Sequence, residues 1–412
     1  MSFMQAQVVL EELIRFNTIS HLSNHAISEH VAECLRTLGF DVEVTTYTDR
    51  KGVLKVNLVA KREPLAGAAP SELSGGDEGL SSETPASLSA GKAGTTPGGL
   101  AYFCHTDVVP ADRWSGPGGD PFKAVVQGDR LYGRGACDMK GSLAAMLQAA
   151  ASVLASEQTE PLWIVCTADE EVGFEGAKDL VQCSKAYREI VAANPVCIIG
   201  EPTELQVVHA HKGIMGLRVE SRGKAAHSST GEGINANLAM VPMLETMRGI
   251  DEQCRIDPGL RDERFDPPTL TWNFGVSDGM SSVNIVPDHC VAWACFRTMP
   301  GVDGLDFIDT VKQRADELGI EFKEFSGGPP LETPVDSPCV EAMCELAESV
   351  IGPNQPARKC YATDGCIFEG LTKRIVCGPG SINQAHTTDE YIELDQLEKG
   401  VSLYKSAIRR FC

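Results

Sequence analysis

A chain of 412 residues is long enough for two domains of ordinary size or for one large domain carrying an insertion. Its formal charge of −21, from 57 acids against 36 bases, argues against nucleic acid and anionic lipid as main partners, and no apolar run reaches the roughly 20 residues that span a bilayer. The 15 cysteines are an odd number without a Cys-x-x-Cys pair and read as free, mostly buried thiols; with no signal-peptide pattern at the N-terminus, a cytoplasmic location is expected.

MSFMQAQVVLEELIRFNT predicts an amphipathic helix, Ser28 to Leu38 predicts a second one closed by Gly39, and DVEVTTY and VLKVNLVAK follow as strands. From about 63 to 99 the composition collapses to Gly, Ser, Ala, Pro, Thr and Glu, which cannot offset its ordering entropy by burial, so a disordered surface insertion is expected. Three short apolar runs, Gly99-Leu-Ala-Tyr-Phe-Cys104, residues 161–166 and Val196-Cys-Ile-Ile-Gly200, have the texture of strands covered on both faces. Between them MKGSLAAMLQAAASVLA is helical, with Leu143, Met146, Leu147, Ala150 and Leu154 on one stripe.

From about Val207 the texture changes. GIMGLRVESRG, TLTWNFGVSDG and HCVAWACFRTMPG read as strands, and NANLAMVPMLETMRGIDE and GLDFIDTVKQRADELG read as helices, which suggests a small α+β domain inserted into the first. A helix near Cys339 to Val350, the strand KRIVCGPG and a last helix from about Asp395 return to α/β character. The expectation is therefore an α/β domain built from 1–207 and 329–412, with a mostly parallel sheet covered by helices on both faces, and an inserted domain over 208–328.

Acids and imidazoles stand just after the apolar strands: His105-Thr-Asp107, Asp138 in GRGACDMKG, Asp169, Glu170 and Glu171 in TADEEVG, and Glu201 after VCIIG, with His386 in INQAHTTDEY as a fifth position. In an open α/β sheet ligands bind beyond the carboxyl ends of the strands, so one shared site explains all of them. Carboxylates this close repel in low dielectric unless a multivalent cation lies among them, and His, Asp and Glu together suit zinc or a similar divalent metal. Asp107 lies on the same face of an extended segment as His105 and is expected to accept from its imidazole. Each piece alone has a plain alternative, a solvated strand end or a satisfied polar residue; their recurrence favours the metal site.

HTDVVP, GRGACDMKG, TADEEVG, GEPTE and the AHTTDEY region resemble the M20 family of metallopeptidases and deacylases, which groups acetylornithine deacetylase, succinyl-diaminopimelate desuccinylase and carboxypeptidase G2-like enzymes. The resemblance spans nearly the whole chain, and FNTISHLSN, LYGRGACDMKG, VVHAHKG and GPGSINQAHTTDEYIE resemble the acetylornithine deacetylase branch. It implies a zinc-peptidase-like catalytic domain, a ferredoxin-like dimerisation or lid domain, a homodimer and two divalent metal ions, zinc in the first place, with cobalt or manganese fitting the same ligands. By the same resemblance Asp138 bridges the metals, His105 and Glu201 complete the first, Glu171 and His386 the second, and Glu170 is the general base.

His227 in GKAAHSS matches the histidine that reaches a partner subunit's site to stabilise the oxyanion, and Arg297 and Asn284 match the substrate-carboxylate and oxyanion-side positions. Read alone, these three remain a loop residue, a surface ion pair and a turn residue. Where acetylornithine deacetylases carry Thr-Glu-Ala-Pro, this chain has Ala362-Thr-Asp364-Gly-Cys366, so Asp364 is a candidate for a cationic substrate end or for orienting His386, with a turn-forming Asp-Gly as the alternative. His209 and His211 have His-x-His spacing but read as packing residues at a domain junction. The activity implied is removal of the acetyl group from N2-acetyl-L-ornithine in arginine biosynthesis. N-acetylcitrulline, N-succinyl-diaminopimelate or a dipeptide stand as other substrates of the same chemistry, and an inactive metal-binding scaffold as the reading from another class.

Overall fold

The computed structural model describes residues 5–65, 98–279 and 282–412, so the expected insertion at 63–99 lies, apart from its ends, outside the described residues. The strand Leu100–His105 runs parallel to Leu162–Thr167 on one side and to Val196–Pro202 on the other, and Arg374–Gly378 adds in parallel beyond the latter. Alternation along these strands divides the interior into two cores. Tyr102, Ile164 and Ile198 face a core shared with Leu10, Met146 and Tyr404 from three helices, Ala6–Ile14, Lys140–Ala151 and Leu394–Phe411; Phe103, Val165 and Ile199 face a second core with Leu180, Ile190 and Phe368. Fully burying one such Leu, Ile or Phe is worth about 1.5–3 kcal/mol, so helices on both faces follow from strands apolar on both faces.

The large sheet is mixed rather than mostly parallel. Its parallel strands are the central ones, flanked by the antiparallel hairpin Asp41–Thr48 and Leu54–Arg62 on one side and by Val208–His211 with Leu331–Glu332 on the other. The connection from Thr48 to Leu54 is far too short for the crossover that a parallel pair needs, so this pair folds back on itself.

The strands Ile214–Arg222, Thr271–Ser277, His289–Arg297 and Glu321–Gly328 form a separate antiparallel sheet, with the helices Ala236–Ile256 and Leu305–Leu318 connecting them in βαββαβ order. Met240, Met243 and Met247 of one helix and Val311 of the other pack on Leu217, Val219, Trp272 and Phe296. Val208–His211, placed by the sequence pattern with this unit, is paired in the large sheet, where all four of its residues are buried. Gly213 threads the gap between the two layers: a Cβ there would lie 2.3 Å from Thr298 Oγ1 and 2.7 Å from the Gly328 carbonyl, so only glycine fits.

His209 and His211 sit at this junction. His209 Nδ1 bonds the Thr333 carbonyl at 2.7 Å; His211 Nδ1 donates to the Lys212 carbonyl at 2.9 Å, which leaves Nε2 to accept from the Thr363 hydroxyl at 3.1 Å. Burial pushes the His211 imidazole down to about 4 from its ordinary 6.5. Between those two pH values the unfolded chain binds a proton that the folded chain refuses, so stability is lost as pH falls from 6.5 toward 4. Equilibrium denaturation at pH 7.5 and 4.5 is expected to show a loss larger in the wild type than in His211→Gln by about 2–3 kcal/mol; equal losses would exclude this role for His211.

Candidate metal centre

The carboxyl ends of the parallel strands deliver the polar residues to one place. His105 ends its strand, Glu201 lies in Val196–Pro202, and Glu170 and Glu171 follow Leu162–Thr167; Asp138 precedes the helix Lys140–Ala151, and His386 follows the Arg374–Gly378 strand. Gly378 allows the close approach, since a Cβ there would lie 2.2 Å from the Gly200 carbonyl and 2.6 Å from that of Glu201.

Two groups of potential ligands result, His105, Asp138 and Glu201 in one and Asp138, Glu171 and His386 in the other, with the ligand atoms of each within 4.8 Å of one another. Asp138 is common to both and divides its oxygens between them: Oδ1 lies 3.1 Å from His105 Nε2 and Oδ2 3.6 Å from His386 Nε2. His105 Nε2 is also 3.7 Å from Glu201 Oε1, and His386 Nε2 is 2.9 Å from Glu171 Oε2.

Burial and the Asp138 carboxylate push Glu201 well above the usual carboxylate range, and burial and Asp138 likewise raise Glu171. Glu170 is also raised well above that range, by burial first, with Glu201, Asp364 and Glu171 outweighing the opposing pull of His105. For His105 burial acts downward, but the bond to Asp138 and the charges of Glu201 and Glu170 prevail and hold the imidazole well above its usual value. Burial would raise Asp138, yet the two imidazoles and a bond with Glu201 keep it low. Glu171 Oε1 is buried with no hydrogen-bond partner. Oxygen and imidazole donors, shared by one carboxylate and short of positive charge, fit a pair of divalent cations.

The turn after Thr167 explains how adjacent acids take different tasks. Asp169 adopts the left-handed conformation at φ 57°, Glu170–Val172 form a short 3₁₀ turn, and Gly173 at φ 123° closes it. Glu171 joins the second group, Glu170 stands beside both groups as a member of neither, and Asp169 turns away to Lys55 and Tyr47. The sequence expectation for Asp107 changes in detail. His105 Nδ1 bonds the backbone carbonyl of Asp107 at 2.9 Å, and the carboxylate, 3.6 Å away, accepts instead from the amides of Glu170 and Glu171 at 3.2 and 3.3 Å and from Ser20 Oγ at 2.7 Å. Three donors converging on the carboxylate outweigh a single imidazole, and the carbonyl still orients the ring.

Glu390 belongs to the site's framework and was not singled out in the sequence. Its side chain is 1% exposed and accepts four bonds, from Arg134 Nη1, Gly135 N and Cys137 N at 2.8 Å and from Asp138 N at 2.9 Å, so the loop that presents Asp138 is wound around it. Its one sequence signal is its place in the AHTTDEY segment, where nothing distinguishes it from the exposed neighbour Asp389.

A cavity of about 370 Å³ opens over the two groups; Asp138, Glu170, Glu171, Glu201 and His386 line its floor, and Met215, Arg297 and Phe325 reach it from the smaller sheet. Tyr361, also absent from the sequence-derived set, lines it as well. His227 and Asn284 are brought together elsewhere: the Ser228 amide donates to the Asn284 carbonyl at 2.9 Å, and both side chains are exposed on the smaller unit, off the wall of this cavity. Asp364 lies off the cavity wall too. The 3₁₀ turn Asp364–Cys366 directs its carboxylate inward to the Thr167 hydroxyl, Oδ1 has no partner, and burial pushes the group up to about 7. A buried acid under the floor is not placed to meet a substrate's cationic end.

The sequence matches the model of Peptidase family M20/M25/M40 over residues 101–410. It is 30% identical over 399 residues to the acetylornithine deacetylase of Proteus mirabilis, covering 95% of this chain and 91% of that protein. Among solved structures it is similar to an M20 family metallo-carboxypeptidase of Sulfolobus solfataricus, with a TM-score of 0.74 at 20% identity over 98% of this chain and 99% of the other, and to human carnosine dipeptidase 1, with a TM-score of 0.70 at 16% identity over 98% and 96%.

Glu390→Ala strands Arg134 and three buried amides, and breaking such a buried pair costs about 3–5 kcal/mol. Thermal unfolding of the metal-free protein is expected to show a lowered Tm for Glu390→Ala and a smaller drop for Glu390→Gln, which keeps one acceptor oxygen. An unchanged Tm would remove Glu390 from the framework.

Proposed function

The chain belongs to peptidase family M20/M25/M40, and on that premise we propose that it is a metal-dependent amide hydrolase that converts N2-acetyl-L-ornithine to L-ornithine and acetate. The observation that carries this reading is the position of Glu170, an acid beside two ligand groups and a member of neither. A scaffold that only binds metal has no use for such a group.

His105, Asp138 and Glu201 would hold one divalent ion and Asp138, Glu171 and His386 the other, zinc in the first place, and the pair would supply electrophilic polarisation of the amide carbonyl and acidify water. Glu170 takes the proton of the attacking water as the new C–O bond forms, then gives it to the amide nitrogen as the C–N bond breaks; the amine and acetate leave with the proton count balanced. Its place on the cavity floor beside both ligand groups puts it within reach of both the water and the amide nitrogen of a substrate held there. Arg297, on the cavity wall, meets the substrate's α-carboxylate through its paired N–H donors. His227 and Asn284 act across a homodimer, entering the neighbouring subunit's cavity to donate to the developing oxyanion.

The substrate named rests on the acetylornithine deacetylase relative. Dipeptide and C-terminal peptide bonds are the second reading, favoured by the likeness to a dipeptidase and a carboxypeptidase in fold.

Metal analysis is expected to find two equivalents in both the wild type and Glu170→Gln, with kcat on N-acetyl-L-ornithine lower by about 10²–10⁴ in the variant. A metal-replete wild type that is inert on N-acetyl-L-ornithine, N-acetylcitrulline, N-succinyl-diaminopimelate and a set of dipeptides would overturn the enzyme reading. Activity in trans is checked by mixing inactive His227→Ala and Glu170→Ala subunits. Mixed dimers contain one site with both residues intact and regain activity; a mixture as inactive as its components would show that His227 does not act across subunits.

A further inference from the structure

The floor of the site rests on the flanking hairpin, through residues far from it in sequence. Tyr47 and Lys55 are directly paired across the antiparallel strands Asp41–Thr48 and Leu54–Arg62, and both reach Asp169, the residue that opens the turn presenting Glu170 and Glu171. Lys55 Nζ donates to Asp169 Oδ1 at 2.6 Å, to the Ser20 carbonyl at 2.5 Å and to the Leu22 carbonyl at 3.0 Å, which uses all three of its N–H groups in a side chain 1% exposed. The Tyr47 hydroxyl takes the other oxygen, Oδ2, at 2.7 Å. Asn57, two residues along the same strand and so on the same face, holds the segment at two more points, accepting from the Ala168 amide and donating to the Gly176 carbonyl, both at 3.1 Å.

These bonds close a ring. Ser20, whose carbonyl Lys55 holds, gives its hydroxyl to Asp107, and Asp107 accepts from the amides of Glu170 and Glu171, the two residues that follow Asp169. The turn is thus fastened on both sides, at Asp169 from the hairpin and at its next two amides from Asp107. If Lys55 loses its charge, a buried carboxylate is left with Tyr47 as its remaining side-chain partner and must turn toward water, carrying the backbone of the next two residues with it.

We propose that Lys55 is a positioning residue that acts through Asp169 to aim Glu171 at its ligand group and Glu170 at the reacting water. The proposal rests on the reading of Glu171 as a metal ligand and of Glu170 as the proton carrier. A purely structural pair would lower stability and leave metal affinity and turnover alone. Positioning instead predicts a selective effect, because Glu171 belongs to the second ligand group while His105 and Glu201, on other strands, belong to the first.

The test is titration of metal-free protein with Co²⁺, followed by visible absorption, together with kcat and KM on N-acetyl-L-ornithine. In Lys55→Met one of the two binding steps is expected to weaken by about tenfold or more while the other is unchanged, and kcat to fall by a similar factor with KM within about twofold. The double variant Lys55→Met/Asp169→Asn, which removes the stranded charge and keeps a residue tolerant of the left-handed turn, recovers part of both losses. If Lys55→Met does not fold, Tyr47→Phe carries the test with an effect of about threefold, since it deletes one bond to Asp169. A folded Lys55→Met that titrates like the wild type in both steps, or a double variant as impaired as the product of its single variants, overturns the proposal alone. A wild type that takes up no Co²⁺ overturns the metal reading and this inference with it.

Discussion

Crowding of like charge is the constraint on which the rest of this structure depends. A carboxylate withdrawn from water costs several kcal/mol unless donors or a cation compensate it, and this chain gathers Asp107, Asp138, Asp169, Glu170, Glu171, Glu201, Asp364 and Glu390 around one set of strand ends. The protein handles them in two ways. Asp107, Asp169 and Glu390 are surrounded by donors: two amides and a hydroxyl, a lysine and a tyrosine, and an arginine with three amides. Asp138, Glu171 and Glu201 instead face imidazoles and one another, and Glu171 keeps an oxygen with no partner at all. The acids surrounded by donors build the framework, and the candidate metal ligands are acids that lack such donors.

That division explains why the site is spread over so much of the fold. The framework acids draw their donors from the first loop, the flanking hairpin, the Glu170–Glu171 turn and the Arg134–Asp138 loop, so the placement of the candidate ligands depends on contacts between segments far apart in the chain. The smaller unit contributes differently. Arg297 and Phe325 reach the cavity within the chain, whereas His227 and Asn284 are displayed together on an exposed loop region away from it. The two residues share one exposed region, with the Ser228 amide bonded to the Asn284 carbonyl, and neither lines the cavity of its own chain.

Much of the architecture was legible because it follows from periodicity. The runs LAYFC, LWIVC and VCIIG read as strands buried on both faces, and each became a central strand with its residues alternating between two cores. The parallel fraction was overestimated, since short apolar runs carry no mark of direction and only the brief Asp49–Val53 connection hints at an antiparallel pair. Val208–His211 was drawn into the wrong layer for a related reason: pattern reports that a strand is buried, and pairing partners decide which sheet buries it.

Residue types at strand ends were enough to identify the ligand candidates, because His, Asp and Glu after apolar strands have few other reasons to recur and α/β topology brings such ends together. The motif resemblance supplied the family. Which acid does what was decided by the tertiary structure alone. Asp107 serves amides more than its imidazole, Asp364 points under the floor, Glu390 and not Asp389 carries the Asp138 loop, and Lys55 holds Asp169 from 114 positions away in the chain. The reason is physical: a carboxylate's role follows from the donors that surround it, and those donors come from segments whose proximity is created only by folding.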